Sequence, residues 1–144
     1  LTQARDERIV RVPKQEPPRM SAAPEPITPL RAAFVLARDT NDMGVVLPVF
    51  LRSTLFLVAV REEEARLSPY ITPSPIPERM CVTVAERREF LAGISPSLVH
   101  ETDARTLIRN MVGRWDIVIM NADGADILHL EYLPDLRAMM DAAG

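Results

Sequence analysis

One cysteine, two histidines and a polar cluster near Asn121 are the side chains here whose types and spacing could do chemistry. Cys81 with His100 or His129 would make a nucleophile and its base. Cys81, however, lies in an apolar segment with only Arg79 as a nearby cation, and a thiol in such surroundings stays protonated and inert. His100 and His129 lack a second His or Cys at ligand spacing, while a metal site needs three or four ligands, so no metal is expected. His100, beside Glu101, reads as a polar residue at a strand end, and His129 as part of a return strand. Asn121, Asp123 and Asp126 have the composition of a calcium loop, but an EF-hand needs Gly at its sixth position and Glu at its twelfth. Counted from Asn121, Gly124 is fourth and Tyr132 twelfth, so the segment reads as a hairpin turn. The five glycines are isolated and no serine sits in a nucleophile elbow. These residues predict no catalytic group, no metal and no cofactor.

Surfaces are the better candidates. Pro69-Tyr70-Ile71-Thr72-Pro73 puts Tyr70 and Ile71 on a proline-stiffened loop, and such a pre-ordered loop loses little entropy on binding. The alternative is that both fold back onto a sheet. Trp115, the only tryptophan, opens a strand and is either core or an interface anchor. Tyr70, Ile71 and Trp115 are therefore the expected partner-binding residues.

The elements that must position them follow from local signals. Leu30, Ala33, Phe34 and Ala37 have helical spacing, and Asp39-Thr40-Asn41-Asp42 is a stop followed by a new N-cap. Val45–Arg52 is a second apolar segment that either starts near Pro48 or kinks there. Thr54–Val60 is a strand whose near-continuous apolar run predicts burial on both faces. It ends at Arg61 and a Glu62-Glu63-Glu64 run read as solvated. Four prolines between Arg61 and Glu78 predict a long loop without central strand. Met80–Val84 is a strand. Thr83 and Glu86 match a capping box for a helix carrying Phe90 and Leu91 and ending at Gly93.

Leu98–His100 is a short strand. Thr102 or Asp103 caps a helix with Leu107, Ile108, Met111 and Val112 on one face, and Gly113 follows as its C′ glycine. Trp115–Met120 is a strand, Asp123-Gly124 supplies the positive φ of a tight hairpin turn, and Ile127–Leu130 returns. A last helix with Pro134 in its first turn buries Leu133, Leu136, Met139 and Met140.

Composition sets the frame. The chain has 144 residues, room for one domain and a tail, and a 47% hydrophobic content that supports a core. A net charge of -3 gives no reason to expect nucleic acid or anionic lipid. The sixteen arginines, against Lys14 alone, are scattered. A lone cysteine fits a reducing compartment, and no apolar run approaches membrane-spanning length. Residues 1–20 lack the apolar core of a signal peptide; the first residue is Leu1, which leaves an upstream signal or a longer protein open. Six prolines within residues 1–29 predict a flexible proline-rich arm, in which Ile9, Val10 and Val12 could form an edge strand or dock on a partner.

Three stretches carry a family resemblance: Val49–Val58, a helix followed by Ser53 and an apolar strand; Val82-Thr83-Val84-Ala85-Glu86, a strand-to-helix junction; and Leu107–Asn121, a helix, Gly113, an apolar strand and Asn121. Over roughly residues 42–142 the chain resembles the N-terminal domain of the SseB family, bacterial proteins named for enhanced serine sensitivity. Ala122 stands where the family often has proline, and Val84 where it has serine. The family has no established catalytic residues to carry over. The resemblance implies an α+β binding or regulatory module of the bacterial cytoplasm, sometimes in secretion or toxin–immunity settings.

Together these readings predict a single α+β domain over residues 30–144, with a mixed sheet of about four to five strands and packed helices. The expected function is non-enzymatic protein interaction, through a sheet face or edge, the Arg61–Glu78 loop or the arm. The partner is another protein or a second copy. A self-associating structural subunit and a small Cys/His enzyme are the alternatives.

Overall fold

Thr28 caps the first helix: its hydroxyl accepts from the Arg31 N–H, and Pro29 occupies the first turn of helix α1 (Pro29–Thr40). The computed structural model describes residues 27–61, 67–111 and 113–142. Ile9, Val10, Val12, the Glu62–Glu64 run and Val112 lie outside the described residues, as does most of the expected arm. Residues 27–29, also assigned to that arm, form the cap and start of α1 instead.

Helix α1 ends at Asn41, whose φ of 55° is the left-handed stop, and Asp42 then caps a short 3₁₀ turn by accepting from the Gly44 N–H at 2.9 Å. Helix α2 (Val46–Leu51) carries Pro48 in its first turn, where a missing N–H costs no helical bond. Strand β1 (Thr54–Arg61) is followed by β2 (Leu67–Pro69), β3 (Thr72–Pro73) and β4 (Met80–Ala85). Next come two 3₁₀ turns, Arg88–Leu91 and Pro96–Leu98, then β5 (Val99–Asp103) and α3 (Ala104–Asn110). The chain continues through β6 (Asp116–Asn121), β7 (Gly124–Leu128), the 3₁₀ turn Leu130–Tyr132 and α4 (Leu133–Ala142).

The fold is α+β, with a mixed sheet of seven strands rather than four or five. Its main path runs β2-β1-β4-β6-β7, with β5 also paired to β1 and β3 to β4. The β4–β6 pair is parallel and the others antiparallel. The extra strands, β2 and β3, come from the proline-rich segment read as loop. Pro69 and Pro73 are tolerated because each ends a strand of at most three residues, where few ladder bonds are asked of it.

All four helices contribute to a core on one face of the sheet. Leu30, Phe34, Leu47, Phe50, Leu107, Ile108, Leu133 and Leu136 meet Leu55, Leu57, Ala59, Val82, Val84, Ile117, Ile119 and Leu128. The alternation along β1, β4 and β6 sends these residues to one side. The other face carries a smaller cluster of Val58, Ala85, Leu91 and Val99, with Phe56, Phe90 and Met120 against it. Burial of β1 on both faces is thus as its composition predicts.

Two local expectations fail for physical reasons, and a third is met in part. Thr83 and Glu86 form no capping box, since Thr83 is inside β4 and only a 3₁₀ turn follows. The Glu86 carboxylate instead accepts from the Leu30 N–H at 3.2 Å and caps α1. Gly113 takes no positive φ; its need is steric, because a Cβ there would lie 2.5 Å from the Trp115 ring. In the β6–β7 turn Ala122 and Asp123 keep negative φ, and Gly124 alone takes a positive one, 156°.

Candidate functional site

β7 runs along the sheet edge, paired to β6 alone among the described residues. Asn121 pairs with Gly124 across the two-residue turn, Ile119 with Asp126 and Ile117 with Leu128. A closing pair of this kind exchanges its backbone hydrogen bonds, and the pattern alternates. The N–H and C=O groups of Ala125 and Ile127 therefore point away from β6, toward the open edge.

Beside this edge lies a groove of about 560 Å³, lined by Phe34, Met43, Ala125, Ile127 and Tyr132 together with Arg38, Asp126, His129 and Glu131. Helix α1 supplies Phe34 and Arg38; the turn after β7 supplies Glu131 and Tyr132.

Two buried carboxylates frame the edge. Asp126, 5% exposed, accepts from Arg31 at 3.0 and 3.2 Å, from Arg38 at 3.1 Å and from the Asn121 side-chain amide at 3.1 Å. Its charge is thus neutralised on the helix side. Asp116, fully buried at the start of β6, accepts from the Ser74 hydroxyl at 2.7 Å, the Leu130 N–H at 2.9 Å and Arg79 Nη1 at 3.2 Å. Arg79 also forks onto Glu131, with Nη1 on Oε1 at 2.8 Å and Nη2 on Oε2. That pairing raises the Arg79 pKa and lowers that of Glu131. Both groups sit at the surface, so the pairing contributes little to stability.

His129 joins Asp116 and Glu131 in a cluster whose ligand atoms lie within 4.8 Å of one another. This grouping was not legible in sequence, because Asp116 is distant in the chain. Arg79 holds both carboxylates where a metal ion would compete for them, so the donor set reads as an ion-pair network.

Tyr70 is exposed, at 46%, on the segment between β2 and β3. Ile71 and Trp115 are half-buried and pack against the main core. The structure does not gather the three with the β7 groove, whose lining includes none of them. Cys81 is buried, its sulfur 3.4 Å from the Thr72 hydroxyl and 3.7 Å from the Pro73 carbonyl oxygen. His100 lies on β5, and its Nε2 is buried without a hydrogen-bond partner among the described residues. The Asn121 side-chain oxygen accepts from the Asp123 N–H at 3.2 Å, a turn-stabilising bond within the hairpin.

No helix among the described residues is long and apolar enough to cross a membrane. Comparison with protein-family models, curated proteins and solved structures finds no match.

Proposed function

We propose that the chain is a non-enzymatic protein-interaction module of SseB-like type, acting in the bacterial cytoplasm as a regulator or a secretion or immunity accessory. The observation that carries this reading is the open β7 edge beside an apolar groove. Ala125 and Ile127 offer outward backbone groups, and an extended segment can add there as a further strand. Side chains alternating along that segment would reach Phe34, Met43 and Tyr132. Edge strands are ordinarily guarded by lysine, proline or outward charge. β7 carries no lysine, proline or outward charge; its one charged residue, Asp126, points inward, and Arg31 and Arg38 compensate the charge that would otherwise guard the edge.

The rival reading, an enzyme using Cys81 with His100 or His129, finds its thiol on Thr72 and Pro73 rather than on an imidazole. Tyr70 remains a second surface, separate from the groove.

The test is affinity capture with the full chain, Ile127→Lys and Tyr70→Ala side by side. A partner held by the wild type and by Tyr70→Ala but lost from Ile127→Lys is expected. A partner held equally by Ile127→Lys would overturn the assignment to the edge, and loss from Tyr70→Ala alone would move the surface to the β2–β3 segment.

A further inference from the structure

We infer that the β7 edge is where two copies of this chain meet, β7 of one protomer pairing antiparallel with β7 of its partner about a two-fold axis at Asp126. The inference rests on reading the edge as a docking surface, and it names the occupant.

Hydrogen-bond phase comes first. The outward-facing residues, Ala125 and Ile127, are placed symmetrically about Asp126. Antiparallel hydrogen-bonded pairs require outward-facing residues on both strands. An axis at Asp126 sets Ala125 opposite the partner's Ile127, and Ile127 opposite the partner's Ala125, each pair exchanging both its N–H···O=C bonds.

Shape and charge select the same register. Ala125 is small and exposed, and Ile127 is large and half-buried, so each pair sets a small side chain against a large one. Asp123, exposed in the turn, falls opposite the partner's His129, and symmetry makes that acid–imidazole contact twice. Moving the axis to Ala125 would set Asp123 against the partner's Ile127. Moving it to Ile127 would set Ala125 against the partner's His129 and leave Asp123 unopposed.

The register's one apparent fault is removed by the fold. Asp126 lies opposite its own copy, and like charges so placed repel. Here each Asp126 already holds Arg31 and Arg38, so no bare carboxylate meets its copy, and the excess positive charge lies on Arg38, whose side chain is 58% exposed to solvent. The edge strand β5 offers no such provision: it exposes Glu101 and Asp103. An isologous two-fold contact of this kind also closes the edge on both copies, ending assembly at the dimer.

Sedimentation velocity on the full chain, from micromolar to millimolar concentration, tests the inference. A reversible dimer is expected. Ile127→Lys puts a charge on the edge, and Ala125→Pro deletes an outward N–H that the β6–β7 ladder does not use. Each should weaken dimerisation at least about tenfold, or 1.4 kcal/mol, while thermal unfolding of the diluted monomer shows the fold retained. Asp123→Lys should weaken it less, and Tyr70→Lys should leave it unchanged. A monomer at every concentration, or a dimer indifferent to both edge variants, overturns the inference. If the wild type is monomeric yet a captured partner still depends on Ile127, the second copy alone fails. If capture too is indifferent to Ile127, the docking reading falls with it.

Discussion

Replacing Asp116 with alanine removes the acceptor for three donors at once. The Ser74 hydroxyl can rotate elsewhere, and Arg79, its side chain 26% exposed, keeps Glu131. The Leu130 N–H has no such recourse; an unsatisfied buried donor costs about 1–3 kcal/mol. With the bond from the Ser74 hydroxyl lost as well, at about 0.5–1.5 kcal/mol, the expected destabilisation is about 2–4 kcal/mol; Arg79, at the surface and still held by Glu131, adds little. Asp116→Asn should cost only about 1 kcal/mol. Its carbonyl oxygen still accepts from Leu130, and its amide can donate to the Ser74 oxygen. Urea unfolding followed by Trp115 fluorescence reads the difference, since the only tryptophan adjoins Asp116. For a domain of this size the alanine variant should melt about 8–16 °C lower. An alanine variant within about 0.5 kcal/mol of wild type would refute the account, because surface substitutions alone fall in that range. An asparagine variant as damaged as the alanine would show that the charge, rather than the acceptor geometry, is what the site requires.

Gly113→Ala should cost about 1–3 kcal/mol, read by the same unfolding curve, because its Cβ would fall 2.5 Å from the Trp115 ring. Asp103→Ala should cost about 1 kcal/mol at neutral pH by removing the N-cap of α3, where the carboxylate accepts from the Thr106 N–H at 2.8 Å. That bond lowers the Asp103 pKa below its unfolded value of 3.8, so the contribution is complete above that value and lost as pH falls through the folded pKa. The gap between wild type and Asp103→Ala should therefore close in acid, as unfolding measured from pH 7 downward would show. Cys81 is 3% exposed, so thiol-reagent kinetics should show labelling only on unfolding, with protection matching global stability. Glu86→Ala should destabilise α1, while Glu86→Gln, which keeps an acceptor for the Leu30 N–H, should lose less in thermal unfolding.

What was legible in the sequence is what neighbouring residues decide. Asp103 caps α3, Asn41 stops α1, and Asn121 to Gly124 turn the hairpin, each through contacts within a few residues. Glu86 was misread for the same reason. Its spacing from Thr83 suits a local cap, but its partner, the Leu30 N–H, lies 56 positions away. The strands β2 and β3 were missed because proline content outweighed pairing that only the neighbouring strands can supply. The edge groove left no sequence signal, since Phe34, Met43, Ile127 and Tyr132 are ordinary apolar residues until the sheet brings them together. Asp116 and Asp126 likewise look like surface acids, and only arginines 37 to 95 positions away reveal them as buried.

The anchoring of α1 has a consequence for how the chain is made. Arg31 meets Asp126 95 positions later, and the sheet face beneath the helix is completed by the last strand pair. At ordinary rates of synthesis, about 5–20 residues per second, roughly 5–20 s separate the emergence of α1 from that of its partner. Throughout that interval Leu30, Ala33, Phe34 and Ala37 have at most part of the sheet to cover them. The nascent chain thus presents a sticky amphipathic helix before its cover exists, and final closure waits for β7 to leave the ribosome.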